Sequence, residues 1–127
     1  EEEEIELKDL IRDSFLIKNI FFLLGLLLVM IYCFDIDGTL CTKGHEDYND
    51  AKPFLDRIKI VNELYDDGNK IVLFTARGAA TGIDWRDLTE KQVKAWGLKH
   101  HELRFGKPHA DIFIDDRAQD PFNWFNY

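Results

Sequence analysis

Cysteine is scarce in this chain. Cys33 and Cys41 are the only two in 127 residues, and their spacing matches no metal-ligand pattern. Both read as reduced thiols of a cytosolic protein. Basic charge is also short: 16 Lys and Arg stand against 24 Asp and Glu, a formal charge of -8 with a pI near 4.9. That balance is opposite in sign to what a phosphate backbone attracts, so nucleic-acid binding through a broad electrostatic face is excluded. The chain also lacks a long enough apolar run. Ile20 to Phe34 is 15 residues, below the roughly 18 of a spanning helix. Its last five residues are needed as a buried strand, which leaves a membrane anchor cramped. A signal peptide fits poorly, because the flank before the run is acidic and no small-residue cleavage site follows. The expected location is therefore cytoplasmic. Internal repeats and low-complexity linkers are absent, and the length leaves no room for a separate substrate domain.

What is present argues for folding: hydrophobic residues make up 46% and aromatics 13%, and apolar runs separate the charges. The charge divides unevenly. Residues 1–29 and 30–127 each carry a net -4, so the shorter part is far more acidic per residue. It opens with Glu1-Glu2-Glu3-Glu4, a solvated end, and passes into the apolar run. The sole methionine, Met30, stands directly before the best strand. Three readings of residues 1–29 compete: an extension before a true start at Met30, a partial membrane anchor, and a helix docking on a partner or a second copy of the chain. The first is preferred, and it places the working domain at 30–127.

Within 30–127, short β-rich runs alternate with helical stretches, the pattern of an α/β, Rossmann-like parallel sheet with helices on both faces. Ile31–Phe34 and Lys70–Phe74 read as strands. Between them Pro53 starts a helix whose apolar stripe is Phe54, Ile58, Val61, Leu64 and Tyr65, ended by Asp67-Gly68. Thr89 and Gln92 form a capping-box pattern before Val93 and Trp96, with Gly97 closing that helix. Leu103–Phe105 and Asp111–Ile114 read as two further strands, and the tail from Pro121 to Tyr127 packs back on the domain.

Ligands of such sheets bind outside the carboxyl ends of the strands, where the polar residues of this chain collect. The strand ends carry Asp35-Ile36-Asp37-Gly38-Thr39, Thr75-Ala76-Arg77-Gly78, Gly106-Lys107-Pro108 and Asp115-Asp116. Carboxylates brought so close repel unless they share a cation, and Mg²⁺ is a hard ion suited to carboxylates and phosphate. Asp35 at a strand tip is placed to attack phosphorus as nucleophile. Asp37, two residues on along an extended segment, faces the same side and can serve as acid and base. Gly38 and Thr39 amides are expected to hold phosphate oxygens, with Ala76 and Arg77 beside them. Thr75 would donate to the phosphoryl group, and Lys107 would neutralise its equatorial oxygens. Asp115 and Asp116 would complete a metal shell with Asp35 and the carbonyl of Asp37.

Taken together, Asp35-x-Asp37-Gly38-Thr39, Thr75, Lys107 and Asp115-Asp116 resemble, in order, the four motifs of the haloacid dehalogenase superfamily of Mg²⁺-dependent phosphatases. The resemblance spans about residues 30 to 118. The stretches Asp37 to Thr42, Phe74 to Gly78, Leu88 to Gln92, Trp96-Gly97 and Phe105 to Pro108 are similar to small phosphatases of capsular polysaccharide biosynthesis. The resemblance implies a phosphomonoesterase working through an aspartyl-phosphate, acting on a small phosphorylated molecule such as a sugar phosphate. Residues 1–29 match nothing in that family. Little space separates the motifs, which implies a minimal cap or none and an open site, suited to a large substrate or one completed by a neighbouring subunit. The loops Lys43–Lys52 and Gly78–Asp87 remain to select the substrate, with His45, Tyr48, Arg77 and Arg86 as the side chains to watch. Alternatives are a dehalogenase or phosphonatase of the same fold, a phosphotransferase or mutase, and a catalytically silent binding module. Asp37 argues against the first, since carbon-halogen and carbon-phosphorus cleavage need no acid for an oxygen leaving group. His100-His101 reads as surface rather than metal ligand, because neighbours on a strand point apart. His109 reads as a solvated loop residue.

Overall fold

The β-branched run at residues 70–74 has the apolar character of a strand buried on both faces, and it forms the middle of a parallel sheet. The computed structural model describes residues 29–43 and 47–126. Three strands, β1 (Ile31–Phe34), β2 (Lys70–Phe74) and β3 (Glu102–Arg104), lie in the order β1-β2-β3. Helix α1 (Leu55–Asp66) connects the first pair and α2 (Arg86–Ala95) the second, and a short α3 (Pro121–Phe125) follows. Tyr48–Asp50 forms a single 3₁₀ turn. This is a small α/β domain with a Rossmann-like parallel arrangement. No helix among the described residues is long and apolar enough to cross a membrane. The readings of residues 1–28, of His45 and of Tyr127 lie outside the described residues.

Register places Tyr32 beside Ile71 and Phe34 beside Leu73, so these four share one face. Ile58 and Val61 of α1 and Val93 of α2 pack with them in the buried core, together with Ile36, Leu40 and Leu98. Trp124 and Phe125 of α3 close the β1 side of this layer, with Trp124 edge-on to Phe34 at 5.5 Å, so the tail does pack back. Among the described residues these helices all serve that one layer. On the opposite face Ile31 and Cys33 are exposed, while Val72, the register partner of Cys33, is buried.

Two asparagines join the layers through their amides. Buried Asn69 accepts from the Met30 N–H at 3.2 Å and donates to the Leu64 carbonyl at 3.0 Å, tying the start of β1 to the end of α1. Asn62 bonds the Gly97 carbonyl and the Lys99 N–H, each at 2.8 Å. His101 is structural as well: its Nδ1 accepts the Ile71 N–H at 3.0 Å and its ring stacks on Tyr65.

Several boundaries differ from the sequence reading. Pro53 does not start α1. It forms a bridge with Cys41, and the Phe54 N–H donates to the Leu40 carbonyl at 2.8 Å, so both residues are drawn out of helical geometry until Leu55. Helix α2 starts at Arg86, so Thr89 and Gln92 lie inside it rather than at its cap. Strand β3 is shifted one residue toward the N-terminus because Val72 pairs with Glu102. Asp111–Ile114 is not a strand, and Ile114 is 96% exposed. Gly106 at φ +89° turns the chain out of β3, Pro108 has no N–H to give, and the segment finds no ladder partner.

The two thiols differ. Cys41 is buried, and burial together with the neighbouring Asp37 charge pushes its thiol up to about 12. Cys33 is exposed. Iodoacetamide at mildly alkaline pH is expected to alkylate Cys33 in the native protein and Cys41 only after denaturation, as read by peptide mass spectrometry. Comparable native labelling of Cys41 would contradict its burial.

Candidate active site

The carboxyl end of β1 runs into a tight turn that presents two aspartates. The Thr39, Leu40 and Cys41 N–H groups all point at the Ile36 carbonyl, at 3.1, 2.8 and 3.2 Å, and the Gly38 N–H donates to the Cys41 carbonyl at 2.8 Å. Gly38 sits at φ +82°, a conformation that L side chains rarely adopt. This closes the turn over buried Ile36 and holds Asp35 and Asp37 outward. It also corrects one expectation: the amides of Gly38 and Thr39 are consumed in shaping the turn and do not form an open phosphate cradle.

Lys107 reaches back from beyond β3, and its Nζ lies 3.2 Å from Asp35 Oδ1, with the two side chains 20% and 33% exposed. The Lys107 N–H donates to the Thr75 carbonyl at 3.2 Å, so the loop after β3 is fastened to the end of β2. Its ammonium also stands 4.7 Å from the centre of the Phe113 ring. The other oxygen of Asp35 accepts from the Thr39 hydroxyl at 3.3 Å. Thr75 is fully buried, and its hydroxyl oxygen accepts the Arg77 N–H at 3.1 Å.

Asp37 has a different partner. Arg77 donates to it through Nε at 2.9 Å and Nη2 at 2.8 Å, a bidentate pair in which the Arg77 side chain is 0% and Asp37 21% exposed. Nη1 donates to Thr89 at 3.0 Å and to Gln92 at 2.6 Å, and the Tyr48 ring lies 4.6 Å from the guanidinium carbon. Burial alone would lower the affinity of this guanidinium for its proton. The hydrogen bond and charge of Asp37, with Cys41 and Tyr48, outweigh that and hold it above the ordinary arginine value. Arg77 therefore faces Asp37 and α2 rather than a substrate. Tyr48 is held by Arg77 and, edge-on, by Trp85 at 5.0 Å. Burial, with the Asp37 charge adding to it, raises its phenol. Arg86 lies over the Phe105 ring at 4.6 Å and is paired with Glu90.

The ends of β1, β2 and β3 thus bring together Asp35, Asp37, Thr75, Arg77 and Lys107, with Ala76 partly buried between Thr75 and Arg77. Asp115 and Asp116 are not brought there. Both are exposed, and Asp115 Oδ1 accepts the Arg117 N–H at 2.8 Å. Asp111–Ile114, which as a strand would have carried them to the same sheet edge, pairs with no strand. No group of three or more metal-ligating side chains forms among the described residues. The donors beside Asp35 and Asp37 are cations, Lys107 and Arg77, so the set present does not fit a Mg²⁺ shell. A hollow of about 320 Å³ on the helix layer, lined by Tyr65, Val93, Leu98 and His100 among others, shares no residue with this site.

Sequence reasoning placed the strand-end residues but missed the roles of Thr89 and Gln92. The available signal was their polarity one helical turn apart beside apolar Val93. Polar side chains on an inward helix face need partners, and a nearby arginine supplies them.

No protein-family profile matches the chain, and no curated protein does. Among solved structures it is similar to the crystal structure of an MCSG target from Vibrio cholerae. That likeness has 27% identity and a TM-score of 0.71, and covers 78% of this chain and 89% of the other. It supports the α/β architecture over most of the described domain. The structure of a Pnkp1/Rnl/Hen1 complex also matches, at 18% identity and a TM-score of 0.49, covering 68% of this chain and 30% of that one. At that level it adds nothing to the argument.

Proposed function

We propose that this protein is a phosphomonoester hydrolase working through Asp35. The observation that carries the reading is the Asp35–Lys107 pair at the strand ends, 3.2 Å apart and partly open to solvent. It puts a carboxylate nucleophile beside a cation suited to phosphoryl oxygens. An Asp35 oxygen attacks phosphorus, and the ester P–O bond breaks as the leaving oxygen takes a proton from Asp37. Water then attacks phosphorus of the aspartyl-phosphate, giving its proton to Asp37, and the P–O bond to Asp35 breaks to release inorganic phosphate. Lys107 steadies the charge on the transferring group, while the buried Thr75 hydroxyl orients the Arg77 backbone beside it. No step is drawn through Mg²⁺, because the cationic partners of Asp35 and Asp37 do not make a shell for it. The sequence resemblance favours a small phosphorylated substrate, a sugar phosphate of surface polysaccharide synthesis, handled in the cytoplasm.

The test is turnover of the full chain on a panel of sugar phosphates, nucleotides and aryl phosphates, with Mg²⁺ and with chelator. Phosphate release is expected, and the chelator arm reads whether it needs the metal. No turnover of any ester by the folded protein would overturn the hydrolase reading in favour of a binding module. Preference for nucleotides over every sugar would overturn the substrate assignment alone.

Asp37→Asn separates the acid from the nucleophile. An acid matters most when the leaving group is poor, so the variant should lose on the order of 10²-fold or more on an alkyl phosphate and far less on an activated aryl phosphate. Equal loss on the two esters would count against the acid role.

A further inference from the structure

The guanidinium of Arg77 has more partners than an ion pair requires, and they come from separate parts of the chain. Nε and Nη2 hold the two oxygens of Asp37 from the β1 turn, and Nη1 holds Thr89 and Gln92 from α2. Its remaining direction, from Nη2, meets Cys41 Sγ at 4.0 Å. With its donors so directed and its side chain 0% exposed, it has none free for a substrate. Gln92 carries the chain of contacts further, since its Nε2 donates to the Tyr48 carbonyl at 2.6 Å while the Tyr48 ring covers the guanidinium.

We propose that Arg77 is a positioning residue that fixes the Asp37 carboxylate and the Tyr48–Asp50 turn as one unit. A carboxylate at a strand end can rotate about its last bond, and a two-point fork removes that freedom where a single ammonium would not. The fork is itself oriented by Thr89 and Gln92, whose places are set by α2 packing through Val93 on the sheet. The direction in which Asp37 offers its proton is therefore decided by a helix remote in sequence. Because Gln92 and the Arg77 face also seat Tyr48, the loop preceding α1 and the acid/base group are held together. The kinetic consequence rests on the hydrolase reading; the clamp does not.

The experiment uses the full chain carrying Arg77→Lys, Arg77→Ala, Asp37→Asn and the Asp37→Asn/Arg77→Lys double change, each checked for native circular dichroism. Turnover is measured on an alkyl and an activated aryl phosphate, and amide exchange is followed at Asp50 and Ala51. Arg77→Lys is expected to lose on the order of 10²-fold on the alkyl ester and only a few-fold on the aryl ester. The double change should be no worse than Asp37→Asn, because both remove the same function. Exchange at Ala51, whose N–H donates to the Tyr48 carbonyl at 3.2 Å, should quicken in the Arg77 variants. Gln92→Ala, which leaves the Asp37 fork in place, should quicken it too and serves if Arg77→Ala does not fold. Equal loss on both esters, or added loss in the double change, would reduce Arg77 to a packing role and overturn the proposal. If the unaltered chain hydrolyses no ester, the hydrolase reading falls and exchange decides the clamp: faster exchange upholds it, unchanged exchange overturns it.

Discussion

Replacing Asp35 by Asn is expected to abolish phosphate release, by on the order of 10⁴-fold or more, while leaving the fold intact. The amide has the shape of the carboxylate and can still accept from the Thr39 hydroxyl, which now stands at 3.3 Å. It has no anionic oxygen with which to attack phosphorus. The cost to stability should be small, at most about 1 kcal/mol, because the Asp35–Lys107 pair is partly solvated and Lys107 can turn toward water. Single-turnover assays and thermal unfolding of the variant beside the parent check both halves. Retention of more than a few per cent of the activity would remove Asp35 from the nucleophile's role. A large loss of thermal stability would leave the activity result uninterpretable as chemistry, so the Asp35→Glu change is measured in parallel. It keeps the charge near Lys107 but moves the carboxylate by one methylene, and is expected to retain the fold with activity still severely reduced.

The largest effect on stability is expected at Gly78. Its φ is +80°, and a Cβ built on it would stand 2.1 Å from the Ile83 carbonyl oxygen, a backbone atom that cannot swing aside. The Gly82 N–H donates to the Gly78 carbonyl at 2.8 Å across the same loop, so relief of the clash requires opening it. Gly78→Ala should therefore cost about 2–4 kcal/mol, from the left-handed backbone strain and from lost loop contacts. Because Gly78 directly follows Arg77, the change should also loosen the Asp37 fork. Urea unfolding measures the first effect. Gly68→Ala is a useful contrast, since Gly68 has φ +91° but nothing within 4 Å of a Cβ. It should show the backbone strain alone, about 1–2 kcal/mol. Equal losses at the two positions would mean that the Gly78 loop yields without resistance.

Local chemistry was enough to locate β1 and β2 as Ile31–Phe34 and Lys70–Phe74. Strands buried in a parallel sheet need continuous apolar runs, and few other segments offer one. The helix after Pro53 and the closing role of Gly97 were legible for similar reasons, since a helical stripe and a left-handed glycine leave local marks. The gathering of Asp35, Asp37, Thr75 and Lys107 at one sheet end followed from topology: parallel strands present their carboxyl ends on the same side.

What the sequence by itself determined, then, was the alternation of strand and helix and the residues at the strand ends, both consequences of short-range periodicity. Only the tertiary structure decided how those residues pair. Nothing local distinguishes an arginine that binds substrate from one whose donors are spent on Asp37, Thr89 and Gln92, because those partners are 40, 12 and 15 residues away. The same holds for Thr89 and Gln92, whose spacing fits a helix cap equally well until packing puts them against a buried cation. Asp111–Ile114 has a strand's composition, but a strand exists only where another backbone accepts its hydrogen bonds. Its exposure, and with it the separation of Asp115 and Asp116 from Asp35, is a property of the assembled sheet that no window of sequence contains.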